Sequence, residues 1–258
     1  MALLTCQEVS KHFGGLTAVD QVDLRVEAGE LVGLIGPNGA GKTTMFNLIT
    51  GFLPPSQGRI TYQDQDITRL APHLVARQGL VRTFQKINVF SELTVEENVL
   101  IGAHLQFRTS YLKALVLHGR CRREREQFQE EAGQHLKVVG LERWRHTRAK
   151  NLPLGLQRAL GIAVALTARP KMLLLDEPAS GMTPEETRQI MEVIRQVHAG
   201  GITILMVEHD MQVVMNLCQR LVVLDFGQVV AEGTPEEIRH NPKVVEVYLG
   251  KGFKRDDS

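Results

Sequence analysis

Residues 31–44 read Leu31-Val32-Gly33-Leu34-Ile35-Gly36-Pro37-Asn38-Gly39-Ala40-Gly41-Lys42-Thr43-Thr44. The first five make a short apolar strand candidate, and the stretch from Gly36 matches G-x-x-x-x-G-K-[ST] in the strand-to-helix setting that motif needs. Glycines let successive backbone N–H groups curl around phosphate oxygens without Cβ clashes. A helix opening near Lys42 adds its positive dipole end at the same point. The stretch predicts a nucleotide cradle formed by Gly36, Pro37, Asn38, Gly39, Ala40, Gly41, Lys42, Thr43 and Thr44. Within it Lys42 is expected to bridge the β- and γ-phosphates of ATP, and the Thr43 hydroxyl to ligate Mg²⁺.

Working outward, Lys171–Leu175 is a second apolar run and ends on Asp176 and Glu177. Beside a phosphate loop, Asp176 at a strand tip is expected to hold the metal through its water shell. Glu177 is the candidate general base for an attacking water. Further runs at Ile202–Val207 and Leu221–Leu224 carry Leu, Ile and Val on both faces, the pattern of buried parallel strands. Between them, Thr183-Pro184-Glu185-Glu186 supplies an N-cap Thr, a Pro at the first helical position and a Glu three residues after the cap. Thr234-Pro235-Glu236-Glu237 repeats this device, and Thr94-Val95-Glu96-Glu97 repeats it without the Pro. Strands alternating with capped helices imply an α/β fold.

Two regions depart from the alternation. Residues 3–30 read as an antiparallel β element, with Val22, Leu24 and Val26 alternating. Residues from about 100 to 168 read almost wholly as helix. Residues 106–150 hold eleven Lys/Arg against five Asp/Glu, while the whole 258-residue chain balances 30 Lys+Arg against 29 Asp+Glu. The Arg120–Arg125 cluster, interleaved with Glu124 and Glu126, reads as a solvated helix face. A net charge of +1 argues against whole-surface attraction to nucleic acid. At 43% hydrophobic and 23% charged, the chain has material for a sizeable core and is not of the disordered class. No run approaches the ~20 apolar residues of a membrane span, and the N-terminus shows no secretory pattern. Cys6, Cys121 and Cys218 stand in no metal-like spacing and read as reduced thiols of a cytosolic protein.

With these motifs in order, the chain resembles the ATP-binding subunit of an ABC transporter over essentially its whole length. That resemblance implies an α/β phosphate-loop fold with an N-terminal antiparallel β element and an inserted helical subdomain. It divides the chain into a nucleotide-binding core, 1–99 and 169–258, and a helical subdomain, 100–168. The resemblance further implies that Phe13 stacks on adenine. Gln85, in Val81-Arg82-Thr83-Phe84-Gln85, would sense the γ-phosphate, contribute to the Mg²⁺ site and touch the membrane partner. His209, in Val207-Glu208-His209-Asp210-Met211, would act as the switch histidine. The loop Ala179-Ser180-Gly181-Met182 would cross a dimer interface.

Finer likeness, in RTFQ, FSELTVEENV, EHDMQVVM and AEGTPEEIRHNPKVVEVYLG, points to the branched-chain amino-acid importer (LivG-like) branch. The implied partners are membrane permease subunits, a second ATPase subunit and, indirectly, a solute-binding protein, with no nucleic acid. The implied location is peripheral, on the cytoplasmic face of the cell's inner membrane. Alternatives from other classes are a soluble ABC ATPase acting on nucleic acid or ribosomes, and a non-hydrolysing regulatory subunit.

One segment departs from the family pattern. Where a signature resembling L-S-G-G-Q is expected, the chain has Leu152-Pro153-Leu154-Gly155-Leu156. Pro153 offers neither a hydroxyl nor a backbone N–H to a phosphate. Gly155 is the position expected to reach the partner's ATP in trans. The altered signature predicts a heterodimer with unequal ATP sites.

Overall fold

A computed structural model describes residues 2–83, 89–103 and 129–249. Phe84, Gln85, Cys121 and the Arg120–Arg125 cluster lie outside them. Strands β1 (Ala2–Phe13), β2 (Leu16–Glu27), β4 (Gln57–Tyr62) and β5 (Gln65–Asp66) form an antiparallel sheet in the order β2-β1-β4-β5. The antiparallel element read from residues 3–30 is its first hairpin, turned at Gly14-Gly15.

The second sheet has six strands in the order β10-β9-β3-β8-β7-β6. They are β3 (Leu31–Ile35), β6 (Leu80–Thr83), β7 (Met172–Asp176), β8 (Thr203–Val207), β9 (Arg220–Asp225) and β10 (Gln228–Gly233). All pairs are parallel except β9–β10. The predicted runs match β3, β7, β8 and β9 to within a residue at each end.

The apolar runs are continuous because the two faces serve two cores. Leu31 and Ile35 of β3, with Leu173, Leu175, Ile204 and Met206, face the helical side. Val32 and Leu34, with Met172, Leu174, Leu205 and Val207, face α1 (Lys42–Ile49) and the antiparallel sheet. A strand buried on both faces has no polar alternation to show. Gly33 leaves room between strands: a Cβ there would lie 2.6 Å from Leu221 and 2.9 Å from the Cys218 sulfur.

Helix α2 (Pro72–Arg77) precedes β6, and α3 (Val95–Ala103), a helical run over 129–138 and α4 (Leu154–Leu166) follow it. Helices α5 (Pro184–Ala199), α6 (Met211–Leu217), α7 (Pro235–His240) and α8 (Pro242–Leu249) complete the chain. Reciprocal capping boxes open α5 at Thr183/Glu186 and α7 at Thr234/Glu237. Thr94 and Glu97 exchange the same pair of bonds at the start of α3. The expectation of near-continuous helix to residue 168 needs correcting among the described residues. Gly140, at φ 70°, follows the helical run described over 129–138, and Pro153 stands immediately before α4. Between them come turns, two 3₁₀ turns (Glu142–Trp144 and Ala149–Asn151) and a bridge from Arg148 to Thr94.

Candidate functional site

Strand register brings the distant motifs to one level. Leu34 of β3 pairs with Val207 of β8, and Val207 pairs with Asp176 of β7. The phosphate loop, the Asp176–Glu177 pair and Glu208–His209 therefore leave adjacent strands side by side. This is the carboxyl edge of a parallel sheet, where open α/β folds bind ligands. Thr83 of β6 pairs with Leu175, so the end of β6 lies beside the β7 tip.

The loop from Gly36 to Gly41 is held in conformations that require glycine. Gly36 lies at φ 150° and a Cβ would stand 2.1 Å from the Leu224 carbonyl oxygen. Gly41, at φ 102°, is the N-cap of α1, and a Cβ there would meet the Ala18 carbonyl oxygen at 2.5 Å. No side chain caps α1, so its first amides are not taken by one. Asn38, Gly39 and Thr43 are exposed, and nothing lies within 4 Å of the direction a Gly39 Cβ would take. Lys42 is buried, and its Nζ donates to the carbonyls of Gly36 (2.6 Å) and Pro37 (2.9 Å). Burial lowers its pKa, and the neighbouring Glu177 works against that shift. An ammonium already desolvated and aimed into the loop, an open hydroxyl at Thr43 and a strand-tip carboxylate fit a nucleotide and its divalent cation.

Asp176 is buried and paired with Arg82: the guanidinium Nη2 donates to Oδ2 at 2.6 Å. Arg82 also donates to Asn47 Oδ1 (2.7 Å) and lies 5.5 Å from the Phe46 ring centroid. It thus joins β6 to α1 and β7. Glu177 follows at φ 46°, a left-handed conformation uncommon for a non-glycine residue and a recurrent mark of functional sites. Its N–H donates to the Val207 carbonyl at 2.9 Å. His209 is more than half exposed, and its Nδ1 stands 3.9 Å from both Glu177 Oε2 and Glu208 Oε2. Glu177 and His209 thus lie together.

Phe13 ends β1 at the hairpin tip, 45% exposed, with Lys11 Nζ at 5.2 Å from its ring centroid. An exposed ring carrying a cation is available for stacking. The altered signature lies at the start of α4, with Pro153 as N-cap. The Gly155 N–H donates to Glu186 Oε1 at 3.2 Å, and Glu186 Oε2 accepts from the Thr183 N–H and hydroxyl at 3.0 Å. These bonds hold the Glu186 carboxyl below its ordinary range. Gln157 and Arg158, just beyond the signature, line a cleft of about 270 Å³ with Arg82, Thr83, Asp176 and Pro178.

Sequence reasoning missed three supports: Arg82, Asn47 and Glu208. Arg82 and Glu208 did leave a signal, as charged residues abutting apolar strands next to Gln85 and His209. Asn47 left none.

Comparison with known proteins bears on the same site. The ABC transporter family model matches residues 19–180, and a branched-chain amino acid ATP-binding cassette transporter model matches residues 228–254. A high-affinity branched-chain amino acid transport ATP-binding protein, LivG of Salmonella typhimurium, is 42% identical over 250 residues, covering 96% of this chain and 98% of that protein. The crystal structure of the ADP conformation of an ATP-binding cassette of an ABC transporter superposes with TM-score 0.85 at 36% identity, over 97% of this chain and 99% of that one. A dimeric post-hydrolysis cassette bound to ADP and Pi superposes with TM-score 0.74 at 26% identity, over 90% of this chain and 98% of that one.

Proposed function

The chain belongs to the ABC transporter family of ATP-binding cassettes, and on that premise we propose that it is the ATP-hydrolysing subunit of an importer for branched-chain or related amino acids. The observation that carries the reading is the meeting of the phosphate loop, Asp176–Glu177 and His209 at one edge of the sheet. The solute class comes from the relatives' names, because no residue of this site faces a transported solute.

Lys42 exchanges the Gly36 and Pro37 carbonyls for phosphate oxygens, and the loop amides take the rest of the charge. Thr43, Asp176 through water and Gln85 would hold Mg²⁺, which would supply positive charge against that of the phosphates. Glu177 takes the proton of the attacking water, its backbone fixed by Val207 and its carboxylate beside His209. His209 reports the γ-phosphate, and Phe13 supports the adenine. Gln85 passes the state of the site to the permease.

The dimeric relative supports a head-to-tail pair in which this chain's Ala179–Met182 loop faces a second ATPase subunit. The Gly155 N–H, already engaged by Glu186, supports a heterodimer in which the site closed by this chain's signature works less well. No helix among the described residues is long and apolar enough to cross a membrane. By its likeness to transport ATP-binding proteins the chain works as a peripheral subunit, joined to permease subunits on the cytoplasmic face and through them to a solute-binding protein. Affinity purification from detergent-solubilised membranes tests this: permease chains and a second ATPase chain are expected with the tagged protein. Recovery with ribosomes or nucleic acid instead would favour the soluble ABC class.

A further inference from the structure

Glu208 is 1% exposed and lies directly between β8 and His209. A carboxylate so far removed from water persists where hydrogen bonds and opposite charge replace its hydration. Its Oε1 accepts the Ala179 N–H at 2.7 Å, and its Oε2 accepts the His209 N–H at 3.2 Å. The His209 ring nitrogen Nδ1 stands 3.9 Å from the same Oε2. Burial raises the Glu208 pKa, opposed by the Ala179, His209 and Asp210 backbone N–H groups and the His209 ring, and the positive charge of Arg158 on α4 interacts with its carboxylate. The Ala179 loop, 29 residues before Glu208 in sequence, and the adjoining His209 thus end on the two oxygens of one carboxylate.

We propose that Glu208 is a positioning residue that ties the Ala179–Met182 loop to His209, so that the partner-facing loop and the phosphate-facing histidine move together. It touches no reacting atom, and the inference rests on the proposed role of His209 toward the γ-phosphate. The geometry asks for a carboxylate specifically. Its two oxygens both accept, whereas an amide offers one acceptor and one donor, so Glu208→Gln turns a donor toward one of the two N–H groups. A displacement of the Ala179 loop is therefore felt at His209 through a single rigid group. Its backbone is anchored by β8, whose next strands carry the phosphate loop and Asp176.

The test is a double-mutant cycle on the full chain, reading ATP·Mg and ADP·Mg affinity by calorimetry. His209→Ala is expected to weaken ATP about 10-fold and to leave ADP unchanged, as loss of a γ-phosphate contact should. Glu208→Gln is expected to weaken ATP about 3- to 5-fold, also without effect on ADP. The double variant should match His209→Ala alone, because residues acting as one unit are not additive. Equal weakening of ATP and ADP by Glu208→Gln marks a purely structural role and overturns the proposal, and so does an additive double variant. If Glu208→Gln binds neither nucleotide, Glu208→Asp, which keeps the charge and shortens the reach, enters the cycle under the same criteria. A His209→Ala chain that binds ATP like the parent overturns the reading of His209 and this inference with it, a failure visible in that single variant.

Discussion

The helices α1 and α4 both begin with a glycine near the first turn, at ends the family resemblance assigns to phosphate, yet they differ in what meets their first amides. At α1, three glycines at positive φ open the loop, no side chain caps the helix, and Lys42 is folded back onto loop carbonyls. At α4, Pro153 contributes no N–H, and the Gly155 N–H already has a carboxylate partner from α5. A helix N-terminus attracts anions because its first donors lack intrahelical partners. Once Glu186 supplies both an acceptor and a negative charge, that attraction is spent within the chain. On the proposed function the chemistry of this subunit belongs at α1, and α4 serves as a braced structural corner.

The largest expected effect tests whether Glu177, at the tip of β7 beside the α1 end, is the catalytic base. Glu177→Gln keeps the shape but cannot take a proton, so ATP turnover in the assembled complex should fall about 100-fold or more while ATP remains bound. Phosphate release and nucleotide retention on the same sample measure both parts. Parent-like turnover would transfer the base role to His209. Next in size, Lys42→Ala removes a charge-assisted bond to phosphate worth roughly 1.5–3 kcal/mol, so ATP affinity should fall about 10- to 100-fold by calorimetry. An unchanged affinity would mean that the α1 end is not the phosphate site.

A third expectation compares the two ends through stability. Gly41→Ala forces a Cβ to 2.5 Å from the Ala18 carbonyl at φ 102°, so both sterics and backbone oppose it. A cost of about 1–3 kcal/mol follows from strain of this kind. Gly155→Ala meets the Glu186 Cβ at 3.1 Å, a contact that a shift of a few tenths of an ångström between α4 and α5 relieves, and Ala is favoured over Gly at a helical position. Its cost should stay under about 1 kcal/mol. Thermal unfolding of the two variants should therefore separate by a few degrees, at roughly 2–4 °C per kcal/mol for a chain of this size. Equal melting points would mean that the two turns are equally constrained.

Much of this contrast was legible in the sequence, and what was not has a physical reason. The phosphate loop, its helix and the acidic strand tip are local patterns, and each fixes its own chemistry within about ten residues. The capping devices at Thr94, Thr183 and Thr234 are equally local. The missing donor at Pro153 is local too, because proline lacks an N–H wherever it stands. The roles of Arg82, Glu208 and Glu186 depend on strand order and helix packing. Arg82 reaches Asp176 because β6 lies next to β7, and Glu208 reaches Ala179 because β8 does too. Glu186 reads as a capping residue, and so it is. Its second oxygen turning to Gly155 follows from α4 packing on α5, which no periodicity records.

The smallest effect expected is the most direct on the α4 end. In a Glu177→Gln background, where hydrolysis is removed, ATP should drive any head-to-tail self-association of the purified chain to its limit. With the parent signature, both sites of such a homodimer would be closed by Pro153 and an occupied Gly155 N–H. Glu186→Ala releases that donor and removes a like charge from the approach of the partner's phosphate. One net hydrogen bond is worth about 0.5–1.5 kcal/mol, so the association constant should rise roughly 3- to 10-fold in sedimentation with ATP. Glu186 also holds the Thr183 cap, so Thr183→Ala is the control. It loosens α5 while leaving the Gly155 bond, and it should leave self-association unchanged. Restoring Pro153→Ser, Leu154→Gly and Leu156→Gln on top of Glu186→Ala should add to the gain, and without Glu177→Gln it should raise ATPase activity of the chain alone. If the parent chain already self-associates and hydrolyses ATP cooperatively at the restored variant's rate, the α4 end is a working phosphate site despite its sequence. The two helix ends would then be equivalent, and the heterodimer with unequal sites would have no basis in this chain.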